Sequence, residues 1–145
     1  MDTERVVATN RRARYDYDVL ETYEVGLVLA GAEVKSLRAG KVSLGDAYAA
    51  PQEGEIFLFN LHIPPYEKNT LTPLAPRRPR KLLVNRRELH RIARAVDQKG
   101  VTLIPLKLYF NRGYAKIQLA LARGKKKYDK RERILEKDER RLAEK

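Results

Sequence analysis

Two runs of alternating side chains, VTLIPLKLYF and YAKIQLALA, flank Asn111-Arg112-Gly113, and a period of two is a strand period. In the first run Ile104, Leu106, Leu108 and Phe110 point one way while Lys107 and Tyr109 point the other. In the second, Ile117, Leu119 and Leu121 alternate with Lys116 and Gln118. A short connection ending in glycine joins such runs as a β-hairpin. Pro105 has no N–H to give a ladder, so it belongs at an edge or a bulge.

The remaining segments add strands and two helices. VLETYEVGLVL, residues 19–29, is β-branched and aromatic and reads as a strand. Val34 and Leu37 are three apart, which allows one or two helical turns that Gly40 can stop. GEIFLFNLHI is a second strong strand between Gly54 and Pro64-Pro65, and EKNTLTPLAPRRPR, with its prolines, reads as an irregular loop. Asn85 can cap a helix, with Glu88 three residues on to complete a capping box. Leu89, Ile92, Ala93 and Val96 then bury one face, Arg87, Arg91 and Arg94 face water, and Gly100 ends the helix. Four to six strands with these helices predict a mainly β fold, an OB-like antiparallel β-barrel over residues 1–123. A basic C-terminal tail, residues 124–145, follows it.

Charge points to the partner. Lys and Arg number 31 against 19 Asp and Glu, a net +12, which calls for a polyanion. The basic residues form three clusters: Arg11, Arg12 and Arg14; eight between Arg77 and Arg94, among them Arg78, Arg80, Lys81 and Arg86; and Lys125 to Arg131. An anionic membrane is disfavoured, because the tail lacks the broad apolar face of a surface helix. No apolar run is long enough to span a bilayer and the first residues carry no signal-peptide core, which fits a cytoplasmic protein. The chain has no cysteine, which excludes disulfides and Cys-ligated zinc.

Enzyme templates find no match. The sequence lacks a P-loop, a GxSxG elbow and an HExxH helix, so no catalytic residue, cofactor or metal ligand is assigned. His62 reads as a packed or rim residue and His90 as a surface one. Glu24 and Glu33 cannot be paired from sequence alone. RNA-binding signals are stronger. NRRARYDYD interleaves arginines, which clamp phosphates, with Tyr15 and Tyr17, and an aromatic face can stack on an unpaired base. Tyr15 either stacks or packs; Tyr17 reads as packing. In RKLLVNRRE, Lys81 and Arg86 bracket Leu82, Leu83 and Val84, which are core unless one presses on a nucleotide.

The tail, GKKKYDKRERILEKDERRLAEK, has only a thin apolar seam. Its i,i+4 ion pairs, Asp129 with Arg133 and Glu136 with Arg140, are each worth only about 0.2–0.5 kcal/mol. A segment this short is expected to be disordered when free and helical once phosphates neutralise Lys125, Lys126, Lys127, Lys130 and Arg131.

NRRARYDY, GAEVKSLRAGK, RKLLVNRREL, GVTLIPLKLYF and ALARGKKKYDKRE together resemble the SmpB family, which binds transfer-messenger RNA (tmRNA). The resemblance runs from about Asn10 to beyond Arg133. It implies an OB-type barrel with flanking helices, no enzymatic activity, and a monomer that binds the tRNA-like domain of tmRNA around its elbow. It further implies delivery of that RNA to stalled bacterial ribosomes for trans-translation. The barrel would stand in place of an anticodon stem, and the tail would lie as a helix in the small-subunit decoding site and empty mRNA channel. By motif, Asn10, Glu24 and Leu83 match positions tied to RNA binding, beside Arg11, Arg12, Arg14, Tyr15, Lys81 and Arg86. Gly124, Lys125, Lys126, Lys127, Tyr128, Asp129, Lys130 and Arg131 match the tail segment needed on the ribosome. Tyr15 departs from a frequent His, keeping a stacking face without pH sensitivity. The competing expectation is a structural ribosomal or general RNA-binding protein.

Overall fold

The computed structural model of the protein describes residues 4–65 and 74–124. In chain order its elements are Glu4–Thr9 (β1), Ala13–Asp16 (α1), Tyr17–Leu27 (β2), Gly31–Arg38 (α2), Tyr48–Gln52 (β3), Glu55–Phe59 (β4), Arg80–Leu83 (β5), Arg86–Val96 (α3), Val101–Asn111 (β6) and Tyr114–Gly124 (β7). The last two form the expected hairpin, with Asn111 opposite Tyr114. Arg112 and Gly113 between them have φ of 53° and 83°. Two left-handed residues in a row twist the way paired strands twist, which is why such a turn fits here.

All pairings are antiparallel, in the order β1-β6-β3-β4-β5-β2-β7, and a further β6–β7 pairing closes the ring. The expected OB-like barrel is therefore present, with seven strands among the described residues rather than four to six. The strands unseen in the sequence, β1, β3 and β5, are only six, five and four residues long. They are too short for alternation to rise above composition.

Inside the ring lie Val25, Ile56, Leu58, Leu82, Ile117 and Leu119, each at most 1% exposed. Burying such a side chain stabilises by about 1.5–3 kcal/mol, so this interior carries the fold. The alternation expected for β6 is corrected by a bulge. Pro105 pairs with Leu119 and Lys107 with Gln118, which leaves Leu106 as an extra residue. Leu103, Leu108 and Phe110 face the main core, whereas Ile104 and Leu106 join a second apolar cluster with Ala13, Ala120 and Ala122. Pro105 thus sits at a bulge, as its missing N–H demands.

Helix boundaries follow the capping chemistry. The Asn85 side chain accepts from the Glu88 N–H at 2.9 Å, and Ile92 on α3 is fully buried. The helix stops at Val96, short of Gly100, whose φ of 82° instead serves the turn into β6. Gly40 ends α2 as expected, at φ 75° with its N–H bonded to Leu37 O. The strand expected over GEIFLFNLHI ends at Phe59, because Asn60 turns to φ 60°. His62 follows in an isolated bridge to Ser43, half-buried at the rim. Of the expected loop, residues 74–79 are irregular, Arg80 starts a strand, and the rest lies outside the described residues.

One member of the basic cluster between Arg77 and Arg94 is not on the surface: Arg80 is 1% exposed, and Glu33 is 4% exposed. Arg80 donates to Glu33 at 2.8 Å and to the carbonyls of Leu61 and Pro76. Arg78 also donates to Glu33, through Nε at 3.1 Å and again through Nη2. The Ala30 N–H supplies a further bond to Glu33 at 3.0 Å. Apolar surroundings tolerate a guanidinium only when all of it is paired, so Arg80 belongs to the interior. Burial alone would raise the Glu33 carboxyl, but bonds from Arg78, the Ala30 N–H and Arg80 outweigh it and hold it below the usual range.

Replacing Glu33 by Ala strands Arg80 without its counter-charge and is expected to cost about 3–5 kcal/mol, measured by urea denaturation at neutral pH. A carboxyl depressed in the folded state gives stability that is present above its unfolded pKa. That stability is lost as pH falls through the folded value. The native chain should therefore lose stability on acidification below the ordinary carboxylate range, and Glu33→Ala should lose less there.

Candidate nucleic-acid interface

The bulge in β6 seats the arginine segment. The Asn10 N–H donates to Leu106 O at 2.7 Å, and the Asn10 side-chain amide donates to Pro105 O at 3.2 Å. Asn10 O in turn accepts from the Ala13 N–H at 3.3 Å, opening α1. Ala13 buries itself on Ile104, Leu106, Ala120 and Ala122, with Tyr17 and Val19 packed alongside. One short helix is thereby held on the outside of the barrel. Arg11 and Arg12 stand exposed in the turn before it, Arg14 stands exposed on it, and Tyr15 is 65% exposed. Asn10, expected at the RNA, anchors this segment with its side-chain amide. An open groove of about 500 Å³ runs beside it, lined by Asn10, Arg11, Arg12, Tyr17, Leu44 and Asp46.

The neighbouring surface comes from the outward alternation of β2, β6 and β7. Glu24 lies opposite Gln118, and Gln118 opposite Lys107. The next row reads Leu83, Gly26, Lys116, Tyr109 and Val6, on β5, β2, β7, β6 and β1 in turn. Cross-strand partners share a face, so Glu24, Leu83, Lys107, Tyr109 and Lys116 all lie on the outside. Exposed Glu24 accepts a 2.6 Å bond from the Tyr109 hydroxyl. Lys107 sits 4.9 Å from the Tyr109 ring centroid and 2.5 Å from Glu4 Oε1.

Electrostatics keep this row polarised. Burial, then the bond and charge of Glu24, push the Tyr109 hydroxyl above its ordinary value, so it remains a donor at any physiological pH. On the core-facing side of β2 a second such pair forms: Tyr23 donates to Glu21 and is likewise raised, to about 12, chiefly by burial. Neither tyrosine was singled out for function from the sequence. Lys107 and Tyr109 were placed correctly on the face opposite the core, but Glu24 is 85 positions away and no local pattern joins them.

Strand β5 divides its leucines. Leu82 is 1% exposed in the core, while Leu83 is 57% exposed. Opposite Leu83 stands Gly26, where a Cβ would meet the Leu83 Cβ at 3.2 Å, so the glycine makes room for that side chain. Lys81 pairs with Glu55 at 3.6 Å, and Arg86 is exposed at the start of α3. Gly124 is the last residue of β7, opposite Tyr17. Lys125, Lys126, Lys127, Tyr128, Asp129, Lys130 and Arg131 lie outside the described residues. No helix among the described residues is long and apolar enough to cross a membrane.

The chain is similar to known proteins in both sequence and structure. The family described as SmpB protein matches residues 7–145. An SsrA-binding protein of Thermus thermophilus is 59% identical over 126 residues, 86% of this chain and 88% of its own. One from Carboxydothermus hydrogenoformans is 51% identical over 142 residues, covering 98% and 95%. One from Frankia casuarinae is 54% identical over 134 residues, covering 92% and 84%. Among solved structures, a chain described under "tmRNA-SmpB: a journey to the center of the bacterial ribosome" superposes with a TM-score of 0.69. It is 58% identical, with 81% of this chain and 83% of that one covered.

The two leucines of β5 give a direct check of which one the fold needs. Leu82→Ala should cost about 2–5 kcal/mol through lost burial and a cavity. Leu83→Ala should stay within about 0.5 kcal/mol, as surface substitutions do. Chemical denaturation of the two variants measures the difference.

Proposed function

The chain belongs to the SmpB family, and on that premise we propose how its surfaces divide the work. It is an RNA-binding protein of trans-translation whose partners are tmRNA and the ribosome. Its outer β5-β2-β7-β6 face and α1 hold the tRNA-like domain at the elbow. The observation that carries this assignment is the anchored α1. A fixed turn of chain presents Arg11, Arg12, Arg14 and Tyr15 on the same outer surface as the two rows that contain Glu24 and Leu83. Arginines take the phosphates and so set the register of the complex. Tyr15 offers a stacking face to an unpaired base. Leu83, an apolar side chain standing in water on a strand, gains by covering a ribose or base.

Residues 124–145 serve the ribosome rather than the tmRNA. Their lysines and arginines neutralise ribosomal RNA phosphates, and the segment becomes helical in the decoding site and the empty mRNA channel. From Lys130 to Lys145 such a helix reaches about 24 Å, at 1.5 Å per residue. No chemical step is assigned to the chain: it delivers and positions RNA, in the cytoplasm where ribosomes work. The relatives are named for SsrA binding rather than as ribosomal components, which disfavours a permanent ribosomal protein.

Two measurements test the division of labour. Binding of a tRNA-like-domain transcript should weaken about 10³–10⁵-fold between about 50 and 200 mM salt, as for six to ten neutralised phosphates. A chain ending at Gly124 should bind that transcript within a few-fold of the full chain, yet fail to support peptide tagging on stalled ribosomes. Loss of transcript binding on truncation contradicts the assignment.

A further inference from the structure

A carboxylate on a surface that binds a polyanion is repelled by every nearby phosphate, so an exposed Glu24 needs a physical reason. Its surroundings supply one. Oε2 is taken by the Tyr109 hydroxyl at 2.6 Å, and Tyr109 is itself only 2% exposed, so that donor cannot swing away. The ring is held from the other side by Lys107, 4.9 Å from its centroid, which Glu4 fixes at 2.5 Å. Lys116, the cross-strand neighbour of Tyr109, adds a second cation to the same face. Among the described residues Oε1 of Glu24 has no hydrogen-bond partner.

Resting on the RNA-binding reading above, we infer that Tyr109 is a positioning residue: its hydroxyl fixes the Glu24 carboxylate so that Oε1 faces outward as an acceptor for one hydrogen-bond donor on the RNA. Phosphates have no such donor; a ribose 2′-hydroxyl and a base amino group do. With Oε2 engaged, the carboxylate reads one donor, and Lys107 and Lys116 offset the phosphate repulsion around it. The hydroxyl, not the bulk of Tyr109, is what matters to binding.

The orientation can be read with an amide in place of the carboxylate. In Glu24→Gln the Tyr109 hydroxyl captures the amide oxygen and turns the NH₂ toward the RNA donor. Binding of the tRNA-like-domain transcript should fall about tenfold, the scale of a charged hydrogen bond. In the double variant Glu24→Gln/Tyr109→Phe the amide is free to flip and present its oxygen, so most of that affinity should return. Tyr109→Phe alone should weaken binding several-fold with an unchanged salt slope, since no phosphate contact is lost. A double variant that binds no better than Glu24→Gln overturns the inference, as does a Tyr109→Phe chain that binds like the native one. Should Tyr109→Phe not fold, Glu24→Gln is compared with Glu24→Ala: a held amide binds worse than alanine, and equal or tighter binding by Gln is contrary. A 2′-deoxy transcript assigns the donor, being insensitive to Glu24→Gln if the ribose supplies it and as sensitive as RNA if a base does. Failure of the native chain to bind the transcript would instead count against the functional reading itself.

Discussion

The extra residue that β6 carries between Pro105 and Lys107 decides which face each half of that strand addresses. Without it, strict alternation would keep Leu103 and Lys107 on one face, and one of them would be wrongly placed. With it, Leu103, Leu108 and Phe110 all reach the core, and Ile104 and Leu106 are turned outward in between. That outward pair is the apolar seat of α1. The carbonyls of Pro105 and Leu106 are the acceptors Asn10 uses to pin the segment before it. Bulges leave backbone groups unpaired and bend the strand, and here the unpaired groups hold the arginines. The same phase sets Lys107 and Tyr109 outward beside Glu24.

A second constraint separates the cations that fold the chain from those that meet RNA. Arg80 is sealed inside by Glu33 and two carbonyls, and Arg78 shares that carboxylate. This cluster ties the segment before β5 to the start of α2 and so fixes where β5 enters the ring. Leu82 then points in and Leu83 out. Arg11, Arg12, Arg14 and Arg86, by contrast, are exposed, and exposed cations are the ones a phosphate backbone can reach. Net charge alone does not tell the two groups apart.

Much of the barrel was legible because local rules suffice for it. The period of two gave β6 and β7, Asn85 marked the start of α3, and Gly40 marked the end of α2. Pro105 announced an irregularity, yet its effect on the phase of β6 depended on pairing with β7, which no single strand shows. The roles of Arg80 and Glu33 were hidden for the same reason, since 47 positions separate them. At the candidate interface, the arginines and Tyr15 were readable as a surface cluster and Leu83 as one of three possibilities. The Tyr109–Glu24 bond needed the closed sheet to bring β6 and β2 to either side of β7.

The most direct measurement of the central claim, that the bulge-anchored α1 and the β5-β2-β7-β6 face form one RNA surface, is hydroxyl-radical footprinting of the full chain, free and saturated with a tRNA-like-domain transcript. Tyr15, on α1, and Leu83, on β5, are 65% and 57% exposed. Oxidation of both should be suppressed together on RNA binding. Unchanged reactivity at either one in the saturated complex would separate α1 from the sheet face and contradict the claim.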